Sequence, residues 1–442
     1  MELRHSSLPG RQRARRRLGA TMAAAVGAGL LAGCGTAHHG AAAALNACAD
    51  TLPTAASGPS AASAVPRLRP VWQRTIPGLA ADSPSAPVPV GDALVRLSGR
   101  ALTFFDAATG AVRAVRTVMG GPLEVAAATD ERGNPVAALR TATLGQVLRV
   151  YTTGGTLMWR APREDAAIDA DDDDDDDGTS ADTLTYAGGY VADFAAGHRG
   201  GLGDLVIRDR TGRALTRTRF RADRWDYRDV VAVRPGWLGV TAAGPRGRAL
   251  WLLDLTRPGR PRWVRLAAPP PRPGDGEPEP AALTTGDGHL YATWTYRVST
   301  TAFARYDVAN TAPAWHTRCL PDTAQPQVVT DPRGGAHVLV FRQDTGITGT
   351  GTRFRVLDPR TGHRLGPPRG WTTPGDAVPN LALRDGVLYV STGGTRTEAV
   401  DVRSGATTRT FAQTLLGATA GGDLVFVTAD ARTPALATDR VS

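Results

Sequence analysis

A chain of 442 residues, 42% hydrophobic and 21% charged, has enough apolar material for a large core, which excludes an intrinsically disordered protein. With 51 Gly, 32 Pro and only 6% aromatics it favours many short elements joined by turns over long helices. The formal charge of +9 is partly a property of the first segment, where residues 1–17 hold Arg4, Arg11, Arg13, Arg15, Arg16 and Arg17 against Glu2. Without residues 1–33 the chain keeps 45 basic and 41 acidic residues, a charge of +4 that gives no argument for nucleic acid.

The first predicted element is the apolar run Leu18 to Leu31. Its fourteen residues would rise about 21 Å as a helix, short of a bilayer span. A basic start, a short apolar run and small residues after it describe an export signal, residues 1–33. The segment Leu31-Ala32-Gly33-Cys34 resembles the lipobox of bacterial lipoproteins. The resemblance implies cleavage after Gly33, a thioether-linked diacylglycerol on Cys34, and localisation at the cell membrane, anchored on its extracytoplasmic face. Arg15-Arg16-Arg17-Leu18 also resembles an incomplete twin-Arg signal, so the export route stays open. No later stretch is apolar for ~18 residues, so no other transmembrane helix is expected.

Residues 34–66 are rich in Ala, Gly, Ser, Thr and Pro and read as a flexible tether. His38-His39 lies inside it with no third ligand nearby. Once Cys34 is lipidated, Cys48 and Cys319 remain as a candidate disulfide in an oxidising compartment; two separate thiols are the alternative.

From residue 93 one unit repeats: a strand, a loop, a strand ending in Asp, a Thr/Ser-Gly turn, and a strand that often carries Trp. ALTFFDAATGAVR (101–113), RFRVLDPRTGHRL (353–365) and TEAVDVRSGATTR (397–409) are the clearest copies. The equivalent positions are Asp106, Thr152, Asp209, Asp254, Asp307, Asp358, Asp401 and Asp439, with a period mostly in the forties and fifties, matching a four-stranded propeller blade. The Asp accepts hydrogen bonds from following N–H groups, and Gly110, Gly212, Gly362 and Gly405 supply positive φ. These turn residues are expected to be structural.

Asp106-Ala-Ala-Thr109-Gly110, Asp358-Pro-Arg-Thr361-Gly362 and Asp401-Val-Arg-Ser404-Gly405, with Trp159, Trp263 and Trp315, resemble the PQQ-like β-propeller repeat family over residues 67–442. The fold expected is all-β: a single β-propeller of eight four-stranded blades, or seven if the divergent second unit is not a full blade. Arg69-Pro-Val-Trp72-Gln-Arg-Thr-Ile76 supplies a Trp strand without a preceding unit, and the eighth unit lacks one. The N-terminal strand is therefore expected to close the last blade and remove its exposed edge.

The resemblance includes quinone-cofactor dehydrogenases and non-catalytic lipoproteins such as the outer-membrane assembly lipoprotein of Gram-negative bacteria. The dehydrogenases use a vicinal disulfide and a Ca²⁺ site; this chain has no adjacent Cys pair, so no cofactor is expected. The barrel-assembly role is not carried over, because the all-Arg, Ala-rich composition resembles that of high-GC actinobacterial proteins. There is no G-x-S-x-G, no H-E-x-x-H and no Cys/His metal spacing. The acidic run Asp171–Asp177 lacks the ligand spacing of a calcium loop and reads as a solvated insertion. PPPRPGDGEPEP (269–280) reads as a connector, and Asp204, Asp287, Asp385 and Asp423, near inner strands, as turn caps. The Arg219-Phe220-Arg221 and Arg224-Trp225 stretch reads as an outer strand rather than a nucleic-acid site. The expected function is a non-enzymatic binding or scaffold module for an envelope protein or glycan. The alternative is a propeller enzyme with dispersed carboxylates, a glycan hydrolase or lyase, or a quinoprotein dehydrogenase.

Overall fold

A computed structural model describes residues 67–76, 79, 86–118, 121–142, 147–161, 183–195, 202–221, 229–244, 247–257, 259–296, 300–320, 325–333, 337–344, 352–366, 371–373, 380–391, 396–428 and 435–441. The expected signal, the tether with Cys34 and Cys48, and the Asp171–Asp177 run lie outside them. The described residues form β-strands and turns without a helix.

The strands pair antiparallel into eight separate sheets. Blades one to seven cover residues 88–117, 121–161, 183–221, 229–265, 279–320, 325–373 and 380–411, each running in chain order from the axis to the rim. Blade eight takes three strands from 413–441 and its outermost from Leu68–Thr75, which pairs antiparallel with Ala435–Val441 from Leu68 opposite Val441 to Thr75 opposite Ala435. The innermost strands touch in an unbroken cycle, blade one meeting both two and eight. The ring is therefore an eight-bladed propeller closed by its N-terminal strand, and the second unit is a full blade. Blade six departs from the four-strand pattern: its rim is split between the short Arg364–Leu365 and Trp371–Thr373, both pairing Thr352–Leu357.

Burial explains the pattern. Each of the eight junctions between neighbouring blades holds its own hydrophobic cluster. A second strand such as Val387–Ser391 is covered on both faces and is buried throughout. Outer strands such as Val112–Thr117 meet solvent along most of their length. At the closing junction Leu94 and Phe105 of blade one pack with Val425, Val427 and Leu436 of blade eight, and Trp72 lies against them.

Trp72 shows why the turn glycine is needed. Its indole N–H donates to Ala107 O of the blade-one turn at 2.9 Å, and a Cβ on Gly110 would stand 2.6 Å from the Trp72 ring. Trp315 of blade five does the same to blade six, donating to Pro359 O at 3.0 Å with its ring 2.6 Å from a Cβ placed on Gly362. Both glycines also hold φ of 70°. The repeat thus needs Gly for the close approach of a ring as well as for its backbone angle.

Candidate functional site

Within each blade the first hairpin and the third hairpin fall on the same face of the ring, so the repeat carboxylates gather there. Asp106 Oδ1 accepts the Ala108 and Thr109 N–H groups at 3.0 and 2.8 Å and the Thr109 hydroxyl at 2.9 Å. Its Oδ2 pairs with Arg113 at 2.6 Å, and Arg113 also reaches Asp92 at 2.9 Å. The Arg113 hydrogen bonds hold both carboxyls below the usual carboxylate range. Asp209 accepts Thr211 N–H, the Thr211 hydroxyl and Arg213 N–H, with Gly212 at φ 83°. Asp254 accepts the same two groups of Thr256. Asp358 accepts Arg360 N–H, and Asp401 accepts Arg403 N–H, Ser404 N–H and the Ser404 hydroxyl. The Gly405 N–H donates to Asp401 O at 2.8 Å. Asp439 sits in a strand rather than a turn, because blade eight continues into a separate strand; burial raises its pKa.

Asp307 breaks the series. Its turn reads Asp307-Val-Ala-Asn310, without Thr-Gly, and the carboxylate turns to His289 Nδ1 at 2.8 Å and Arg305 at 3.3 Å. Arg305 also meets His289 Nε2 at 2.9 Å and donates to Pro359 O of blade six at 3.2 Å. A His–Asp pair is the skeleton of a general base, but here the second ring nitrogen faces a guanidinium rather than open space. The cluster, with Tyr291 donating to Asp287 at 3.1 Å beside it, fastens blade five to blade six.

The first hairpins carry a second set of carboxylates, of which the sequence reading had Asp287, Asp385 and Asp423 as turn caps and missed Asp130 and Asp331. Asp130 accepts Arg132 N–H, Asn134 N–H and Asn134 Nδ2–H. Asp331 pairs with the buried Arg384 of blade seven at 3.3 Å and accepts Asp385 N–H at 2.8 Å. Asp423 pairs with Arg333 of blade six and Arg440. The spacing Asp130-Glu-Arg-Gly133 and Asp331-Pro-Arg-Gly334, so close to that of the outer turns, was the available signal. No group of three or more His, Cys, Asp or Glu among the described residues is arranged to hold a metal ion.

The Pro-rich connector from blade four to blade five is a strap bound to blade five. Tyr306 and Tyr296 hydroxyls donate to Ala267 O and Pro269 O at 2.8 and 3.0 Å. Arg318 pairs with Asp275 and lies 5.1 Å from the centre of the Tyr296 ring. Beneath the strap, between blades four and five, is a crevice of about 420 Å³ lined by Arg248, Leu250, Arg265, Leu266, Pro278 and Trp294 among others. Cys319 lies on the outer strand Trp315–Leu320 of blade five.

The rim differs from both faces. Its outer strands carry thirteen Arg and no Asp or Glu. Among the described residues the exposed large hydrophobics are Val71, Val112, Val115, Leu157 and Met158, 37 to 54% exposed. All five stand on the outer strands of blades eight, one and two. Val71 and Met158 occupy β-bulges, between Pro70 and Trp72 and between Leu157 and Trp159, where an extra residue is turned out of the ladder.

No family model matches the chain, and no curated protein matches it. Among solved structures it is similar to BamB from Moraxella catarrhalis, at 14% identity and TM-score 0.47 over 85% of this chain and 100% of that one. It is also similar to the dihydro-heme d1 dehydrogenase NirN in complex with DHE, at 13% identity and TM-score 0.48 over 89% and 80% of the two chains. A computationally designed protein, Ika8, has 14% identity and TM-score 0.49 over 83% and 100%. The fold assignment rests on the strand pairing and the closed cycle of inner strands described above.

Proposed function

We propose that the chain is a lipid-anchored, extracytoplasmic propeller that acts as a binding or scaffold module without catalysis. The anchor in this reading is diacylglycerol on Cys34, with residues 34–66 as tether. The rim carries the reading: it presents aliphatic and Arg side chains to solvent, whereas most turn-face carboxylates bond their own turns or a neighbouring Arg. A surface of that kind suits contact with a partner and, among the described residues, offers no positioned acid or nucleophile. A Cys48–Cys319 disulfide is a separate proposal for an extracytoplasmic chain, the alternative being two separate thiols. It would tie the tether to blade five, three blades round from where the chain enters blade eight. Nineteen intervening residues, at ~3.3–3.6 Å each, reach about 65 Å.

Intact mass of the mature N-terminal peptide tests the anchor: diacylglycerol on Cys34 is expected, and an unlipidated N-terminus elsewhere overturns it. The non-catalytic half is tested by adding pyrroloquinoline quinone, Ca²⁺ and an artificial electron acceptor with alcohols or sugars. No acceptor reduction is expected; turnover would replace the scaffold reading with a quinoprotein one.

A further inference from the structure

We infer that the rim of blades eight, one and two is a membrane-docking surface that lies against an anionic lipid bilayer. The inference rests on the anchored reading and adds an orientation to it. Three observations converge on this sector.

The first is composition. Strands Leu68–Thr75, Val112–Thr117 and Leu157–Ala161 hold Arg69, Arg74, Arg116 and Arg160, besides Arg113, whose charge Asp92 and Asp106 offset, and no acid. Arg74 and Arg116 donate to the carbonyls of Gly110 and Gly155 at 2.9 and 2.7 Å, so these contacts fix the side chains without cancelling their charge. The second is exposure. The five exposed large hydrophobics are aliphatic and fall within these three strands. Other rim positions are better covered: Val264 and Trp315 are half-buried, and Phe411 is buried. Apolar side chains beside Arg match the boundary between acyl chains and anionic headgroups, where each element finds its own solvent. A soluble polyanion would satisfy the Arg and leave Val115, Leu157 and Met158 in water.

The third is where the tether joins. The chain that begins at Cys34 enters the ring at Leu68, the first residue of this sector. With Cys48 unbridged, 33 residues behaving as a coil would have a root-mean-square span of about 30 Å. Once Cys34 is in the bilayer, this sector is held close to the lipid at an effective concentration on the order of millimolar, so even weak docking would be populated.

The test separates docking from anchoring by using the mature chain, residues 34–442, with Cys34→Ser, which carries no lipid. It is sedimented with vesicles of phosphatidylglycerol and phosphatidylcholine mixed, and with phosphatidylcholine alone. Binding to the anionic vesicles is expected, several-fold weaker in 0.5 M than in 0.1 M salt. The triple change Val115→Ser, Leu157→Ser and Met158→Ser alters exposed positions without changing charge and should cut binding tenfold or more, with the melting temperature kept. Arg262→Glu, on the rim of blade four, should leave binding within about twofold. No sedimentation with anionic vesicles overturns the inference, as does equal loss from Arg262→Glu, which would mean a charge effect of the whole ring. Binding to a soluble anionic wall polymer that the triple variant keeps, without vesicle binding, would assign the rim to that polymer instead. If Cys34 proves lipidated and vesicle binding fails, the anchor stands and the docking falls; if Cys34 proves bare and vesicles bind, the reverse holds.

Discussion

The junction between blades eight and one and the junction between blades five and six use the same lock with different covalent support. In both, an outer-strand Trp donates its N–H to a turn carbonyl of the next blade and lays its ring on that turn's glycine. Trp315 belongs to a strand joined to its own blade by the 307–314 hairpin. Trp72 belongs to a strand with no hairpin to blade eight, held by the ladder with Ala435–Val441 and by packing at the seam. The five–six junction has extra support from the Arg305, His289 and Asp307 cluster and from the stacked pair Tyr291 and Phe303, 5.9 Å apart. The lock is thus a property of the junction, independent of chain connectivity, and the seam depends on contacts that thermal motion can open.

Removing the seam strand should have the largest effect. Deletion of residues 67–78 takes away the blade-eight ladder and Trp72 together. Burial of a Trp-sized side chain is worth about 2–3 kcal/mol, and each ladder hydrogen bond about 0.5–1.5 kcal/mol, against a typical total of ~5–15 kcal/mol. The shortened protein should melt well below the parent or aggregate. Trp315→Ala should cost less, about 3–5 kcal/mol at most, because its strand remains joined by the hairpin. An unchanged melting temperature after the deletion would mean that the strand does not close the ring.

Single glycines sharpen the comparison. Gly110→Ala and Gly362→Ala each place a Cβ 2.6 Å from an indole at φ 70°. Gly212→Ala meets nothing within 4 Å at φ 83° and reports the backbone cost alone, about 1–2 kcal/mol. Urea denaturation should show the first two costing a further ~1–3 kcal/mol from overpacking. Equal values at Gly110 and Gly362 would show that the locks are equivalent; a value no larger than that for Gly212 would show that the rings are not tightly seated.

Acid should act most gently, and with two signs. Asp92 and Asp106 have pKa values lowered by Arg113, so the stability they add is complete above their unfolded values, near 4, and is lost as pH falls through the lower folded values. Asp439 has a pKa raised by burial, so its contribution is present at low pH and lost as pH rises through the folded value. In thermal melts from pH 3 to 7, Asp106→Asn should flatten the acid limb below about pH 4. Asp439→Asn should raise the melting temperature at pH 7 relative to the parent. A lower melting temperature at pH 7 would mean that the Asp439 charge is favourable where it sits.

The ring was legible because its period is written in local chemistry. Asp106, Asp209, Asp254, Asp358 and Asp401 each mark a turn that a few consecutive residues can make alone, and an unpaired Trp strand at one end answered a missing one at the other. What connects blades was less legible. Nothing in Gly110 announces that Trp72 will rest on it, since the contact crosses a junction and either residue has a sufficient local explanation. Asp331 with Arg384, and Asp307 with His289, are pairs between or within blades whose partners lie far apart in sequence. The Pro-rich strap read as a plain connector because the tyrosines and Arg318 that fasten it come from strands of the following blade. The exposed rim of blades eight, one and two became visible only when burial of the described outer-strand residues could be compared.

Pairing Leu68–Thr75 with Ala435–Val441 also sets the order of events during folding. As the chain emerges from synthesis, each complete blade can fold from neighbouring segments, but the seam strand appears early and its partner late. Loop-closure entropy must be overcome across nearly the whole propeller before this contact is formed, so ring closure is expected to be the late, slow step. A chain that lacks Ala435–Val441 cannot make this pairing and keeps an open, aggregation-prone edge. The seam therefore couples the burial of the first strand to the completion of the eighth blade.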